Sequence, residues 1–278
     1  MTMLTDVTSS KPFLRWAGGK TWLVKHLTEI LGNKIFSCYH EPFLGGGAIY
    51  FTAFSQQKSY LSDLNHELID TYQAIKDNPF EVISTLQTYE NTEDFYYTIR
   101  GQQPDNRFQK AARFIFLNQT SFNGIYRVNL RGEYNVPYGH RDKNFLEADK
   151  LIAASECLKN ATLNSGDFTH NQDKIKNGDL VFLDPPYTVS HNNNGFIKYN
   201  QKLFSMDDQQ RLSSFIDFIK KQGAYYILTN AAHQSILEIF EKGDKLIELN
   251  RASLIGGDKA KRGKVTEYIF TNIVKEEV

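Results

Sequence analysis

The segment Asp184–Tyr187 reads Asp-Pro-Pro-Tyr and directly follows the apolar run Leu180–Leu183. An acid at the end of a strand in an open α/β sheet lies at the crevice where ligands bind. Two prolines in succession fix the backbone and carry no N–H, so their carbonyl groups stay available as acceptors. The segment therefore predicts a rigid acceptor group, the Asp184 carboxylate and the Pro185 carbonyl, beside the ring of Tyr187.

This acceptor group suits an amino group attached to a heteroaromatic ring. Such an amine is a poor nucleophile because its lone pair is delocalised into the ring. Accepting both amine protons in hydrogen bonds favours the pyramidal form, whose lone pair can attack an electrophile, while the ring stacks on Tyr187. The alternative interpretation is a Pro-Pro turn that only ends a strand.

A second segment, Glu41–Gly47, reads Glu-Pro-Phe-Leu-Gly-Gly-Gly and lies between a predicted strand (Ser37–Glu41) and a predicted helix (Ala48–Phe54). Glycines there let the backbone approach a ligand and leave helix amides pointing into the site. Asp63 ends the next predicted strand, Ser59–Ser62, where a carboxylate can bind both hydroxyls of a ribose. Together they predict an adenosine-containing cofactor, with a purely structural glycine turn as the alternative.

The residues at two positions argue against two familiar nucleotide-binding motifs. A dinucleotide fingerprint requires a third glycine where Tyr50 stands, which disfavours hydride transfer. A phosphate-binding loop that ends at Gly19, Lys20 and Thr21 requires glycine where Leu14 stands, which disfavours a kinase or an ATPase.

The elements that must position these segments alternate between strand and helix at both ends of the chain, with a helical middle. Such an order predicts an α/β fold, a doubly wound sheet with a helical insertion. The helices predicted for the middle are about Glu67–Lys76, Phe80–Tyr89, Glu93–Arg100, Arg107–Gln119 and Asn144–Leu158.

The formal net charge is zero, with 32 basic and 32 acidic residues among 278, but the charges are unevenly distributed. Arg100–Lys143 contains eight bases and three acids, and Lys11–Thr28 and Arg251–Lys264 are also basic, whereas Asp63–Thr98 contains eight acids and one base. Basic segments with interleaved aromatic and Asn residues suit phosphate contacts and base stacking. Solvated helix faces are the alternative.

Two cysteines, Cys38 and Cys157, are too few for a disulfide framework, and no histidine lies at zinc-ligand spacing from them. No apolar run approaches the ~18 residues of a membrane helix, and Met1–Ser10 has no leader-like pattern. We therefore expect a cytoplasmic protein without a metal.

These segments, in this order, resemble the Dam-type, adenine-specific DNA methyltransferases over nearly the whole chain. The resemblance implies a Rossmann-like S-adenosylmethionine-dependent methyltransferase sheet with an inserted, mainly helical DNA-recognition domain containing a hairpin loop. It divides the chain into 1–65 and 161–278 (catalytic domain) and 66–160 (recognition insertion). The matching segments are Lys11–Lys20, Glu41–Gly47, Asp63, Asn118–Arg141, Gly166–Phe168, Asp184–Tyr187 and Arg251–Thr271.

The resemblance also implies binding residues for S-adenosylmethionine, whose product would be S-adenosylhomocysteine. Asp63 would bind the ribose, and Asp167 and Phe168 would flank the adenine of the donor. The complete implied donor set is Trp16, Lys20, Phe43, Gly45, Gly47, Asp63, Asp167, Phe168 and Asp184. Asp184, Pro185 and Tyr187 would be catalytic.

The segment Phe122–Tyr138 resembles the recognition hairpin of the family, although Phe stands where these enzymes often carry Tyr before Asn-Gly. Phe122 would enter the DNA stack as the target base leaves it, and Arg127 would read a guanine edge. Ile125 and Pro137 would contact a thymine methyl group. The remaining implied DNA contacts are Arg15, on the first guanine, and Asn123, Asn129 and Asn135, which would hold phosphates or the hairpin itself.

The resemblance thus implies a site-specific methyltransferase acting on the N6 amino group of adenine in double-stranded DNA, with GATC as the usual target of the family. A flipped base would be covered by the loop Asn192–Gly195, with Phe196 and Tyr199 as walls. We expect a monomer, and a cognate restriction endonuclease is a further partner that this family allows. The rival interpretations are a methyltransferase for an amine in RNA or a small molecule, and a noncatalytic DNA-binding module.

Overall fold

The computed structural model describes residues 10–129, 131–188, 204–252 and 264–274. Its seven strands form one mixed sheet in the order β3-β2-β1-β4-β5-β7-β6, which confirms the predicted α/β fold class. The strands are β1 (Tyr39–Glu41), β2 (Ser59–Asp63), β3 (Ala161–Ser165), β4 (Leu180–Leu183), β5 (Tyr225–Ala231), β6 (Lys245–Ala252) and β7 (Lys264–Thr271).

Eight α-helices are described, and each helix predicted for the middle of the chain is present with small shifts of its ends. They are α1 (Val24–Leu31), α2 (His66–Asp77), α3 (Pro79–Gln87), α4 (Glu93–Gly101), α5 (Arg107–Thr120), α6 (Ala148–Leu158), α7 (Met206–Lys221) and α8 (Gln234–Phe240). None of these helices is both long and apolar enough to cross a membrane.

The described chain forms two compact units. Unit 1 runs from the first described residue to Val24 and from Leu44 to Phe168, and unit 2 comprises Lys25–Phe43 and the chain from Thr169 onward. The predicted division into 1–65, 66–160 and 161–278 follows function rather than compactness, and it stays a prediction.

In unit 1, β2 and β3 pair in parallel from Ser59 opposite Ala161 to Asp63 opposite Ser165. Helices α2, α3, α5 and α6 pack on one another in the same unit. Four of the unit's helices begin at a side chain that accepts a backbone N–H of the first turn, which explains where each one starts. These capping residues are Asn65, Asn78, Thr92 and Asn106.

In unit 2, all four residues of β4 are at most 1% exposed. Strand β4 pairs in parallel with β1 on one side and β5 on the other, so both of its edges are bonded. A continuous apolar run is typical of such a doubly covered parallel strand. Asp184 directly follows this strand and therefore lies at the carboxyl end of the parallel strands.

One predicted element differs in type. The segment Ala48–Phe54 is helical as predicted, but Tyr50–Phe54 forms a π-helix. Apolar periodicity cannot distinguish a wider turn from an α-helix over five residues, and π-helical turns are frequent at functional sites.

Candidate functional site

The glycine loop of unit 1 is fixed at Gly45 by three neighbours. Its N–H donates to Asp63 Oδ2 (2.9 Å), and its carbonyl oxygen accepts from the Tyr72 hydroxyl (3.0 Å). Gly45 has a φ of +48°, and a Cβ there would lie 2.8 Å from Cδ1 of Trp16. Only glycine fits this position, because the indole ring occupies the space of a side chain.

The same reasoning applies to Gly47, whose φ is +65°. A Cβ at Gly47 would lie 2.9 Å from two ring atoms of Phe51, in the π-helical segment that follows. The immediate reason for both glycines is therefore close packing of an aromatic ring on the backbone. The predicted approach of a ligand to this loop stays a prediction.

Asp63, at the end of β2, is anchored through both carboxylate oxygens. Oδ1 accepts from the backbone N–H of Asn65 (3.0 Å), and Oδ2 accepts from Gly45. Burial raises the pKa of Asp63 above its ordinary value, and the N–H bonds from Asn65, Gly45 and Leu64 oppose that rise. A carboxylate oxygen can accept more than one hydrogen bond, so this anchored group retains the chemistry needed to bind hydroxyls.

The other residues of unit 1 that are predicted to bind the methyl donor lie on turns beside these elements. Lys20 is buried, and its Nζ donates to the carbonyl oxygen of Gly18 (2.8 Å). Asp167 is half-buried and Phe168 is buried, directly after Gly166, whose N–H donates to the Asp63 carbonyl oxygen (3.0 Å). The structure thus brings Trp16, Gly45 and Asp63 into one contact network.

The Asp184 motif of unit 2 is held by side chains. Asp184 is half-buried, and its Oδ1 accepts from the Thr229 hydroxyl at 2.8 Å. The Tyr187 hydroxyl donates to Glu267 Oε2 at 2.6 Å, and Glu267 also accepts from Nε of Arg251. The other residues of the motif, Pro185 and Pro186, are buried and half-buried.

Tyr187 stays protonated in this setting. Burial raises its pKa well above the ordinary value, and the nearby carboxylates of Asp184 and Glu267 raise it further. The hydroxyl therefore remains a hydrogen-bond donor at neutral pH.

A buried polar chain follows the motif. Thr188 accepts from Gln209 Nε2 (3.1 Å), whose Oε1 accepts from Asn230 Nδ2 (3.1 Å). Phe43, which is predicted to bind the methyl donor, is half-buried in unit 2. Its ring packs edge-on against Phe204, with ring centroids 5.7 Å apart. The predicted covering loop Asn192–Gly195, with Phe196 and Tyr199, lies outside the described residues.

The predicted hairpin is present in unit 1. Two antiparallel bridges form it, Ser121 with Tyr138 and Val128 with Tyr134. At its turn, Asn129 Oδ1 accepts from the backbone N–H groups of Arg131 (2.9 Å) and Glu133 (3.0 Å). The Asn129 side chain therefore bridges the turn of the hairpin, and its predicted contribution to DNA binding stays a prediction.

Arg127 is oriented by its neighbour across the hairpin. Its Nε donates to Asn135 Oδ1 (2.7 Å) and its Nη2 to the Asn135 carbonyl oxygen (3.2 Å). Arg127 is exposed. The guanidinium is thus presented at the surface in a defined orientation.

Arg15 lies at the base of the same hairpin. Its backbone is bonded at both ends to the Asn118 side chain, N–H to Oδ1 (2.8 Å) and carbonyl oxygen to Nδ2 (2.7 Å). A Cβ at Gly124 would lie 2.6 Å from the Arg15 guanidinium carbon, so the two groups are in close contact. Burial, and then the charge of Arg141, lower the pKa of Arg15.

The remaining predicted DNA residues lie along the hairpin surface. Phe122 is 53% exposed, so much of its ring faces solvent. Asn123 and Pro137 are exposed and Ile125 is half-buried. An exposed aromatic ring beside oriented polar groups can stack on a planar partner.

The charge count overstated how many bases face solvent. Arg113 is buried and donates to the carbonyl oxygens of Ile99 (3.0 Å) and Arg100 (2.7 Å), closing the end of α4. Arg107 pairs with Asp77 at 2.7 Å. Arg113 therefore serves the fold, whereas Arg107 is exposed and its charge is paired at the surface.

Three further potential ligands, Cys38, His40 and Asp179, are buried within 4.8 Å of one another in unit 2. Asp179 Oδ2 lies 2.9 Å from His40 Nε2, and it also accepts the backbone N–H of Lys176 (2.9 Å). The trio lies at the amino ends of β1 and β4, away from Asp184 at the carboxyl end. Its hydrogen bonds join these two strands, which accounts for its burial.

Sequence reasoning assigned no role to several residues of these networks. They include Tyr72, Asn118, Gln209, Thr229, Asn230 and Glu267. A polar residue inside an apolar strand, such as Thr229 in β5 or Glu267 in β7, is the signal that could have found some of them.

Comparison with known proteins agrees with this geometry. Residues 16–254 match the model of the D12 class N6 adenine-specific DNA methyltransferases. The chain belongs to this family.

Three relatives match over almost their full lengths. The chain is 33% identical to the type II methyltransferase M1.LlaDCHI of Lactococcus lactis subsp. cremoris, over 94% of this chain and 95% of the relative. It is 32% identical to the type II methyltransferase M.MjaIII of Methanocaldococcus jannaschii, over 94% and 99%. The DNA adenine methylase of Escherichia coli K12 is 27% identical over 94% of each chain.

Family membership makes the protein an adenine-specific DNA methyltransferase, and it implies S-adenosylmethionine as the methyl donor. The residues of unit 1 fit a nucleoside-containing donor, because the anchored Asp63 carboxylate adjoins an aromatic ring, Trp16, on a bare glycine backbone.

Proposed function

We propose that the protein is a site-specific methyltransferase that transfers a methyl group from S-adenosylmethionine to N6 of adenine in double-stranded DNA, within GATC. The observation that carries the proposal is the Asp184 motif, in which a carboxylate and a tyrosine ring are each fixed by a buried hydrogen-bond partner. Such preorganised groups stabilise a developing charge without reorganising during the reaction.

In this proposal most of the residues that bind the donor belong to unit 1. Asp63 accepts the ribose hydroxyls, and Trp16 and Gly45 form the adjacent wall. The remaining donor residues proposed are Lys20, Phe43, Gly47, Asp167, Phe168 and Asp184. The contacts of Gly45 with Asp63 and Trp16 support this assignment, because they fix a carboxylate beside an aromatic surface.

The Asp184 motif binds the target amine. The Asp184 carboxylate and the Pro185 carbonyl accept the two N6 protons, and Tyr187 stacks on the adenine ring. S-adenosylmethionine supplies an electrophilic methyl group: the N6 lone pair forms the N–C bond while the S–C electron pair stays on sulfur, and N6 then releases one proton to water. Asp184 acts by orienting the lone pair, so no covalent enzyme intermediate and no metal are required.

The target adenine must leave the duplex to reach Asp184, at a cost of a few kcal/mol. Phe122 occupies the space that the base leaves, and its 53% exposure at the hairpin supports that role. Arg127 reads a guanine and Arg15 contacts the first guanine of the site. Ile125 and Pro137 contact a thymine methyl group, and Asn123 contacts phosphate.

The names of the relatives support two further parts of the proposal. Some are DNA adenine methylases, which agrees with adenine in DNA as the target, and others are type II methyltransferases, which agrees with a companion restriction endonuclease. We expect the enzyme to act as a cytoplasmic monomer. A methyltransferase for RNA or for a small molecule is disfavoured, because neither of these enzymes would need a hairpin that recognises base pairs of duplex DNA.

One experiment tests substrate, reaction and specificity together. The protein is incubated with donor and mixed-sequence duplex DNA, and every methyladenine is mapped, with an RNA of matched sequence in parallel. We expect N6-methyladenine in GATC of the duplex only. Methylation of RNA alone, or of adenines in every sequence context, would refute the proposed substrate.

The Asp184→Ala variant is the control for chemistry. We expect methyl transfer to be abolished while donor binding stays detectable by calorimetry, because truncation removes an acceptor of the amine and leaves the other proposed donor-binding residues in place. Full activity in this variant would refute the mechanism.

A further inference from the structure

Two polar side chains buried behind the Asp184 motif stand out because neither was expected from the sequence. Thr229 on β5 and Glu267 on β7 are both 0% exposed. A buried carboxylate is costly unless it is paired and hydrogen-bonded. Their short side-chain hydrogen bonds join them to the motif and to Arg251. We therefore expect these two residues to act through the motif.

The strand pairing places these two side chains on one face of the sheet. Strands β5 and β7 are antiparallel, with Thr229 opposite Ile269 and Ala231 opposite Glu267. Residues opposite each other, and residues two apart along a strand, share a face. Thr229 and Glu267 are therefore diagonal neighbours, with the small side chain of Ala231 leaving room beside the carboxylate.

Each of them holds a different reactive group of the motif. The Thr229 hydroxyl donates to Asp184 Oδ1 (2.8 Å), which fixes the plane of the carboxylate. Thr229 is β-branched, so its own rotamer is restricted in the strand. The hydrogen bond is thus made by a rigid donor.

Glu267 holds the far end of the Tyr187 ring. Its Oε2 accepts from the tyrosine hydroxyl at 2.6 Å, within the range of a short, charge-assisted bond. Arg251 donates to the same carboxylate and balances its charge. The ring is held at one end by its backbone in the Pro-Pro segment and at the other by Glu267, which together fix the direction of its long axis.

We infer that Thr229 and Glu267 are positioning residues for methyl transfer: Thr229 orients the Asp184 carboxylate toward the amine, and Glu267 orients the Tyr187 ring for stacking. This inference rests on the proposed catalytic role of Asp184 and Tyr187. It adds that the acceptor geometry is set by β5 and β7, far along the chain from the motif. Preorganisation of this kind lowers the entropic cost of the reaction, because the groups are already ordered before it begins.

The test of Thr229 compares Thr229→Val, which is nearly isosteric but lacks the hydroxyl, with Thr229→Ser, which keeps it. Single-turnover methylation is measured with DNA and donor already bound, together with the donor Kd. We expect Thr229→Val to be about tenfold to a hundredfold slower, the size of one hydrogen bond to a charged group, with an unchanged donor Kd. Thr229→Ser should recover most of the rate.

The test of Glu267 is a double-mutant cycle of Glu267→Gln with Tyr187→Phe. If Glu267 acts through the tyrosine hydroxyl, Glu267→Gln should slow methyl transfer about tenfold in the wild-type background and less than about twofold in the Tyr187→Phe background. Fluorescence of 2-aminopurine at the target position should change in Glu267→Gln and in Tyr187→Phe alike, because both alter stacking on the ring.

Thermal unfolding and donor binding show whether each variant is folded, and the Thr229 pair decides its part of the inference even where Glu267→Gln does not fold. A normal rate in Thr229→Val, or a rate in Thr229→Ser as low as that of Val, would overturn the role of Thr229. Additive effects in the cycle would overturn that of Glu267. These failures are distinct from failure of the proposed function, which would show as activity in Asp184→Ala.

Discussion

In unit 1, Gly45 is held by a backbone N–H bond to Asp63 and by the indole ring of Trp16 packed on its Cα, whereas in unit 2 Asp184 is held by the hydroxyl of Thr229. The first arrangement uses the backbone and the absence of a side chain. The second uses a side chain on a neighbouring strand, and the same holds for Tyr187 on Glu267.

This difference determines how each region responds to substitution. A loop built from bare backbone tolerates no added carbon, because the space of a Cβ is already filled by an aromatic ring. A motif held by side chains can lose one hydrogen bond through an isosteric change while its shape is preserved. Substitution at Gly45 should therefore lower donor affinity, whereas loss of a hydrogen bond to the Asp184 motif should lower the rate of methyl transfer.

Among the substitutions that test this comparison, Gly45→Ala is expected to have the largest effect. A Cβ 2.8 Å from Trp16 Cδ1 forces the indole to move by the better part of an ångström. We expect donor affinity to fall by about a hundredfold, the order of effect that accompanies a shift of about 1 Å in a functional site. Calorimetric titration of the variant with S-adenosylmethionine measures it.

The matched control is Gly32→Ala, after α1, where φ is +60° and a Cβ would have no other atom within 4 Å. Both variants place alanine in the left-handed region, at about 1–2 kcal/mol of folding free energy. Only Gly45→Ala should lose donor affinity. Equal donor affinities in the two variants would mean that the contact with Trp16 does not shape the donor site.

An intermediate effect is expected from Arg127→Ala in the hairpin, where the side chain is held by both the backbone and the side chain of Asn135. Loss of a bidentate guanine contact should reduce discrimination at that base pair by about 1–3 kcal/mol. Methylation rates on duplexes that differ at one position measure this change.

Arg131→Ala removes the same charge from the exposed turn of the same hairpin and serves as the control. It should weaken binding to all sequences without changing the preferred site. If Arg127→Ala behaved in the same way as Arg131→Ala, Arg127 would contact phosphate rather than a base.

The smallest effect is expected at Tyr126, which stacks on Trp16 with ring centroids 5.8 Å apart and planes at 22°. Tyr126→Leu removes the ring that supports the indole, and an aromatic pair is worth about 0.5–1.5 kcal/mol, so donor affinity should fall about twofold to tenfold. Tyr126→Phe keeps the ring and loses only the hydroxyl bond to Glu67. A loss of equal size in Tyr126→Phe would show that the hydroxyl, rather than stacking, supports Trp16.

Much of the fold was predictable because its signals are local. The run Leu180–Leu183 is apolar at every position, and it forms the fully buried strand that such a run favours. Helices α2 and α5 begin where an Asn caps the first turn. The exception is Tyr50–Phe54, where the apolar pattern indicated a helix without indicating its width.

The positive charge of the segment Arg100–Lys143 was predicted less well, because a residue count does not show burial. Arg113 belongs to a basic segment in the sequence, yet it is buried and closes the end of α4. A long side chain with several donors can satisfy carbonyl groups inside the fold as readily as phosphates outside it.

The sequence by itself determined the kinds of reactive group and their order: a glycine loop, an acid after the next strand, and an Asp-Pro-Pro-Tyr segment at the end of a buried strand. It could do so because each signal depends on residues within a few positions of one another. The tertiary structure decided which distant side chains hold those groups, Tyr72 on Gly45, Thr229 on Asp184 and Glu267 on Tyr187. Those contacts follow from strand register and helix packing, which a one-dimensional pattern does not specify.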